Sequence, residues 1–141
     1  MSDPVMSVEE LQQFLHREFP QVADQFLVEE VGPLSARIRM RVRNEHLRPG
    51  GTVSGPSMFA LADVSVYLAI LAAVGPMALA VTTNCSIDFM RKPPAGTDLI
   101  ATAQLLKLGK VLAVGDVRIV SVAETDKPVC RASLTYSLPK R

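Results

Sequence analysis

Tryptophan is absent from this sequence, and aromatic residues of every kind make up only 5% of its 141 positions. A surface that stacks nucleic-acid bases needs aromatic faces, so composition speaks against one. An excess of either charge is missing too: 15 Lys and Arg against 14 Asp and Glu leave a formal net charge of +1. Neither a nucleic acid nor an anionic membrane is therefore expected as a partner. Histidine is limited to His16 and His46. That puts a histidine-rich zinc centre out of reach, and no metal or cofactor is expected. The two cysteines, Cys85 and Cys130, lie in apolar, strand-like runs with no ligand spacing between them. They read as two buried thiols in a reducing cytoplasm. The opening MSDPVMSVEELQQF carries acids and no apolar stretch of signal-peptide length, which agrees with a cytoplasmic location. Internal repeats and low-complexity segments are also missing.

What the chain has is apolar content, 48% of its residues. One domain over residues 1–141 is expected, burying about two-thirds of its unfolded surface. Ser7-Val8-Glu9-Glu10 has the form of a capping box, with Ser7 as N-cap and Glu10 at N3. Leu11, Phe14, Leu15 and Phe19 follow at helical spacing, and the helix should end near Phe19-Pro20. Phe26 to Val31 reads as a short strand, and Gly32-Pro33 as a turn. Leu34 to Val42 alternates, with Ala36, Ile38, Met40 and Val42 on one face and Arg37, Arg39, Arg41 and Arg43 on the other. That is a half-exposed strand. Four more strands are expected over Ala78 to Met90, Leu99 to Leu108, Val111 to Ala123 and Val129 to Leu138. Consecutive strands joined by short turns pair as an antiparallel meander. A single curved sheet around one apolar helix is the compact solution.

That helix is the most informative stretch. A turn-rich loop from Asn44 to Ser54 runs into an apolar segment from about Pro56 to Val74. Pro56 suits the first turn, where its missing N–H has no helical partner to lose. Val64 to Val81 has the composition of a membrane span, but Gly75-Pro76 breaks it and basic flanks are missing. A helix apolar on most faces is expected to be wrapped by other elements of a soluble protein. One carboxylate, Asp63, interrupts it without a second charge beside it. Burying a lone carboxylate costs several kcal/mol unless partners compensate, so Asp63 is the first candidate for chemistry.

This order of elements, with three segments of residues, resembles the hotdog fold, an α+β architecture. Phe59-Ala60-Leu61-Ala62-Asp63 is similar to the helix of that family, which ends in Leu-Ala-Asp. Cys85-Ser86-Ile87-Asp88-Phe89-Met90-Arg91 resembles the family strand read as x-Ile-Asp-Phe-Leu-Arg-Pro, and Gly96 to Ala103 followed by Gly109-Lys110 its next hairpin. The resemblance runs from about residue 26 to residue 138 and points to the acyl-CoA thioesterases of the phenylacetate-degradation type, related to 4-hydroxybenzoyl-CoA thioesterase. Two departures stand out. Ser54-Gly55-Pro56 occupies the place where many relatives have His-Gly-Gly, and Arg48 the place of an Asn or Gln.

The resemblance implies that Asp63 is the general base or the nucleophile and that the Gly55 N–H is the oxyanion donor. The start of a helix suits that donor, because amides are unpaired there and the dipole favours negative charge. Ser54 either orients the substrate or caps the helix. Tyr67, one turn beyond Asp63, shares its face. Arg48 neutralises Asp63, binds a substrate carboxylate, or is a solvated loop charge. Asn44 and His46 could supply polar contacts from the same loop. Thr82, Thr83 and Asn84 are candidates to hold water from a second subunit. Arg91, Lys92 and Lys110 could meet coenzyme A phosphates. The expected substrate is an acyl-CoA. The expected assembly is a homodimer or homotetramer with the strand from Ala78 to Met90 at the contact, since exposed strand edges must be paired or covered. The competing readings are a hotdog module that binds an acyl or aromatic ligand without turnover, and a hydratase. Hydratase chemistry needs an Asp–His pair, and neither histidine lies near Asp63 in sequence.

Overall fold

The computed structural model describes residues 3–140. It opens with helix α1, Val8–Glu18, where the Ser7 hydroxyl accepts from the Glu10 N–H at 3.1 Å and the Glu10 carboxylate accepts from the Ser7 N–H at 3.0 Å. The expected capping box is thus complete. Leu11, Phe14 and Leu15 form its buried face. The amide of Gln12 docks α1 to the sheet, donating to the Phe26 carbonyl at 3.0 Å and accepting from the Val28 N–H at 2.8 Å.

Strands β1 (Phe26–Gly32) and β2 (Ser35–Met40) form a hairpin. The alternation read from the sequence is borne out: Ala36, Ile38 and Met40 are buried. On the outer face Arg39 joins Glu29 at 2.7 Å and Asp98 at 3.0 Å. Helix α2 spans Gly55–Val74 and is followed by β3 (Val81–Phe89), β4 (Leu99–Leu108), β5 (Leu112–Ser121) and β6 (Cys130–Ser137). All pairings are antiparallel, in the order β1-β2-β4-β5-β6-β3. The expected meander holds for β4, β5 and β6 but not for β3. After α2 the chain emerges at the far edge of the sheet, where β3 pairs with β6 alone. That edge explains why an apolar-looking strand is mostly exposed, with Val81 at 56% and Phe89 at 49%.

Helix α2 is long and apolar enough to cross a membrane by composition. Here it lies in the concavity of the sheet. From Leu61 to Ala72 every residue is buried except Asp63, which is half-buried. Close approach to the sheet requires a glycine on β5: a Cβ at Gly115 would stand 3.1 Å from the Val66 side chain. The helix ends at Gly75, whose φ of 98° suits glycine, ahead of Pro76.

Candidate active site

Asp63 is the one half-buried position on the wrapped part of α2, and two hydroxyls meet it. Thr82 on β3 donates to Asp63 Oδ1. Tyr136 on β6 donates to the same oxygen at 2.8 Å and lies 3.0 Å from the Asp63 carbonyl. Thr82 and Tyr136 are opposite each other in the β3–β6 ladder, and the register shifts immediately after Thr82. Such a bulge re-aims side chains and is common beside active sites. Both hydroxyls reach Oδ1, so Oδ2 is the oxygen left to act. Burial, reinforced by the Asp63 charge, pushes the Tyr136 phenol far above its ordinary range, so it stays a donor. Burial and Asp63 also push up the Cys85 thiol.

Asp63 opens into a cavity of about 410 Å³. Its walls are Val64 and Tyr67 on α2, Ala78 and Ala80 ahead of β3, Val81 and Thr82 on it, Tyr136 on β6, Glu18 at the end of α1, and Phe19 and Gln21 beyond it. The size falls in the range of small-molecule sites, roughly 300–1,000 Å³. Tyr67 shares this cavity, as its spacing implies, but its hydroxyl donates to the Ala78 carbonyl at 3.2 Å rather than to Asp63. Its ring lies 6.2 Å from that of Tyr136, and burial raises its phenol pKa.

Gly55 lies elsewhere. It is the first residue of α2, eight positions before Asp63, and about 12 Å from it along the axis at 1.5 Å per residue. It faces a second cavity of about 350 Å³ shared with Arg48, Thr52, Val53, Met58, Phe89, Met90, Arg91 and Lys92. The Phe89 ring packs against it, so that a Cβ would stand 3.3 Å from Cζ. The Ser57 N–H is taken by the Ser54 hydroxyl at 3.2 Å, and Pro56 has none. That leaves Gly55 as the free amide donor of the first turn. Ser54 acts as the helix cap; its hydroxyl also donates to Ser57 Oγ at 2.9 Å.

The remaining candidates separate. Arg48 is exposed and does not meet Asp63 of its own chain, so it does not neutralise that carboxylate there. Arg91 joins it at the Gly55 cavity and donates to the Pro128 carbonyl at 2.6 Å. Asn44 is exposed in a short 3-10 turn. His46 is buried at 4% exposure. Its Nδ1 accepts from the Arg43 N–H at 2.9 Å, so Nε2 carries the proton and donates to the Gln25 side-chain oxygen at 3.1 Å. Burial lowers its pKa. Both nitrogens are taken, so His46 is a structural residue and no substrate contact. Thr83 is exposed and donates to the Thr135 carbonyl at 3.3 Å, and Asn84 is exposed on the edge strand. Thr82, expected as a holder of water from the second subunit, bonds Asp63 of its own chain. Tyr136 was not foreseen, since 73 residues separate it from Asp63.

A curved antiparallel sheet closed around a helix that carries one accessible acid defines the hotdog class. The particular family follows from comparison with known proteins: the Thioesterase superfamily model matches residues 50–127, more than half of the chain, and the chain belongs to that family. Human acyl-coenzyme A thioesterase 13 is 29% identical over 122 residues, 86% of each chain. The crystal structure of a candidate thioesterase from a Silicibacter species is 50% identical, with a TM-score of 0.89 over 97% of this chain and 94% of that one. The phenylacetic acid degradation protein PaaI of Thermus thermophilus is 30% identical, with a TM-score of 0.73 over 85% of this chain and 99% of that one. The chain is a PaaI-like hotdog thioesterase, an enzyme of thioester hydrolysis.

Proposed function

We propose that the protein hydrolyses acyl-CoA thioesters at a site shared by two copies of the chain, with Asp63 from one and the Gly55 N–H from the other. The observation that carries this reading is the separation of the two groups. About 12 Å apart along one helix, they cannot both touch one thioester carbonyl. Strand β3 supplies the remedy. It is an exposed sheet edge, and such edges pair with one another. Antiparallel pairing of β3 with its copy sets the Val81 end of one strand against the Phe89 end of the other. Val81 and Thr82 border the Asp63 cavity, whereas Phe89 borders the Gly55 cavity. The pairing thus joins the two cavities across the interface.

The charge of the two cavities supports a direction for the substrate. Arg48, Arg91 and Lys92 stand at the Gly55 cavity and suit the phosphates of coenzyme A. Among the described residues no Lys or Arg borders the Asp63 cavity, which suits the acyl group. In the reaction, Asp63 Oδ2 takes a proton from water as the oxygen attacks the thioester carbon. The partner's Gly55 N–H holds the developing oxyanion, a donor worth roughly 2.7–4 kcal/mol of barrier. The C–S bond then breaks and the thiolate leaves, to be protonated. The same reading has Cys85 and Cys130 as free thiols of a cytoplasmic enzyme. Asp63→Asn keeps an oxygen for the Thr82 and Tyr136 hydroxyls but loses the base. Turnover of an acyl-CoA panel should fall roughly 10²–10⁴-fold with the melting temperature equal or higher. Full activity in that variant overturns the mechanism, and binding without turnover in the native chain returns the ligand-binding reading.

A further inference from the structure

Helix α1 lies outside the residues matched by the family model, yet its end forms one wall of the Asp63 cavity. It is fixed there by several independent ties. The Val5 N–H donates to the Ala72 carbonyl at 2.7 Å, Gln12 clamps β1, and Leu11 and Leu15 are fully buried. Phe14 lies 6.4 Å from the Tyr67 ring. The wall is thus held in place, although the side chains that face the cavity, Glu18, Phe19 and Gln21, are themselves exposed and tie down no core. Their composition is specific: an aromatic ring and an acid, facing a cavity bordered by no Lys or Arg among the described residues.

We propose that Glu18 and Phe19 are the specificity residues of this enzyme, Phe19 setting the length of the acyl group and Glu18 restricting it to acyl groups without a terminal carboxylate. This rests on the reading of the Asp63 cavity as the acyl site. Phe19 is 40% exposed, so its ring stands at the boundary between cavity and solvent, where a longer chain must pass. Glu18 contributes negative charge to the same wall; its field, after burial, is the second influence raising the Tyr67 phenol. Arg17 Nε lies 3.2 Å from Glu18 Oε2, but the two side chains are 63% and 39% exposed, and such a solvated pair cancels little. Arg17 does not border the cavity, and its guanidinium lies 5.5 Å over the Phe14 ring. An incoming acyl carboxylate therefore meets Asp63 and Glu18, with no Lys or Arg among the described residues of the same chain that line this cavity.

The test is a panel of straight-chain acyl-CoA thioesters of increasing length, each with its terminal-carboxyl counterpart, run on the native enzyme, Phe19→Ala and Glu18→Gln. Phe19→Ala should move the optimum to longer chains, with relative kcat/KM at the long end rising roughly tenfold. Glu18→Gln should raise the carboxyl-to-methyl ratio of kcat/KM roughly tenfold at low salt, and less at high salt. Unchanged profiles in two active variants overturn the proposal while leaving the thioesterase reading intact. Binding of non-hydrolysable thioether analogues of the same panel separates the other case. Should the native chain bind them with these preferences, shifted as stated in the variants, but turn over none of the thioesters, the wall stands and the hydrolase reading falls. Should it bind none, both fall.

Discussion

Asp63 is held by two hydroxyls that differ in kind. Thr82 sits on the edge strand at a bulge, whereas Tyr136 is buried at 3% exposure inside the sheet and donates at 2.8 Å. A buried donor with a rigid ring fixes a carboxylate better than a threonine on an exposed edge strand, because its ordering is already built into the core. In the proposed mechanism Tyr136 is therefore the positioning residue, acting through Asp63 rather than on substrate. Tyr136→Phe keeps the ring and its packing against Tyr67 and removes only the donor. It should lower kcat roughly tenfold or more while leaving KM nearly unchanged, because the group aligned is used in the transition state. The stability cost should be about 1 kcal/mol, that of one hydrogen bond. A variant with lowered Tm and native kcat would make Tyr136 a purely structural residue. Adding Thr82→Val should cost less than the sum of the two single changes, since the hydroxyls share one oxygen.

The loop between β2 and α2 shows how an element far from the chemistry sets it up. The His46 carbonyl accepts from the Ser54 N–H at 2.8 Å, and Ser54 caps the helix whose first residue is Gly55. The imidazole anchors this loop to Gln25 in its neutral form. Burial holds the folded-state pKa of His46 below the ordinary 6.5. The neutral ring's contribution to stability is thus complete above about pH 6.5 and is lost as pH falls from there through the folded-state value. Protonating Nδ1 would also remove the acceptor of the Arg43 N–H. Melting temperature should fall between about pH 7 and about pH 5, and fall less in His46→Gln, whose amide can accept and donate without titrating. Equal pH profiles for the two proteins would show that His46 does not couple to folding. His46 also marks where sequence reading stops. Its position in the loop made it a candidate contact, but only the fold shows its ring turned inward to Gln25. Local signals were legible: the Ser7–Glu10 box, the Ser54 cap, the Arg alternation in β2, and Asp63 as the lone acid of an apolar helix. Pairings distant along the chain were not. Nothing local to Val81–Phe89 states that its neighbour is β6, and so nothing announced that Tyr136 would meet Asp63.

At the scale of the whole molecule, the proposed shared site turns on the edge strand β3. Leu79 is 79% exposed, Val81 56%, Phe89 49% and Met90 46%, all along the same edge. Apolar residues concentrated on an unpaired edge are an interface or an aggregation hazard, and the proposed shared site requires the interface. A homodimer should appear in light scattering at micromolar concentration, and a further doubling would give a tetramer. Mass alone does not prove a shared site, but a mixing experiment does. Asp63→Asn removes the base. Gly55→Pro removes the amide donor at the first residue of a helix, where the backbone tolerates proline, and asks the Phe89 ring, 3.3 Å from the added Cβ, to shift by a few tenths of an ångström. The preceding residue, Ser54, already has φ −74° and ψ 154°, the extended conformation that precedes proline. Each variant alone should be inactive. In a twofold dimer formed from one of each, one composite site carries both lesions and the other carries none. Random reassortment of equal amounts should therefore restore roughly a quarter of native activity. No recovery after exchange, with dimers demonstrably mixed, would return Gly55 and Asp63 to the same chain and rule out the shared oxyanion donor.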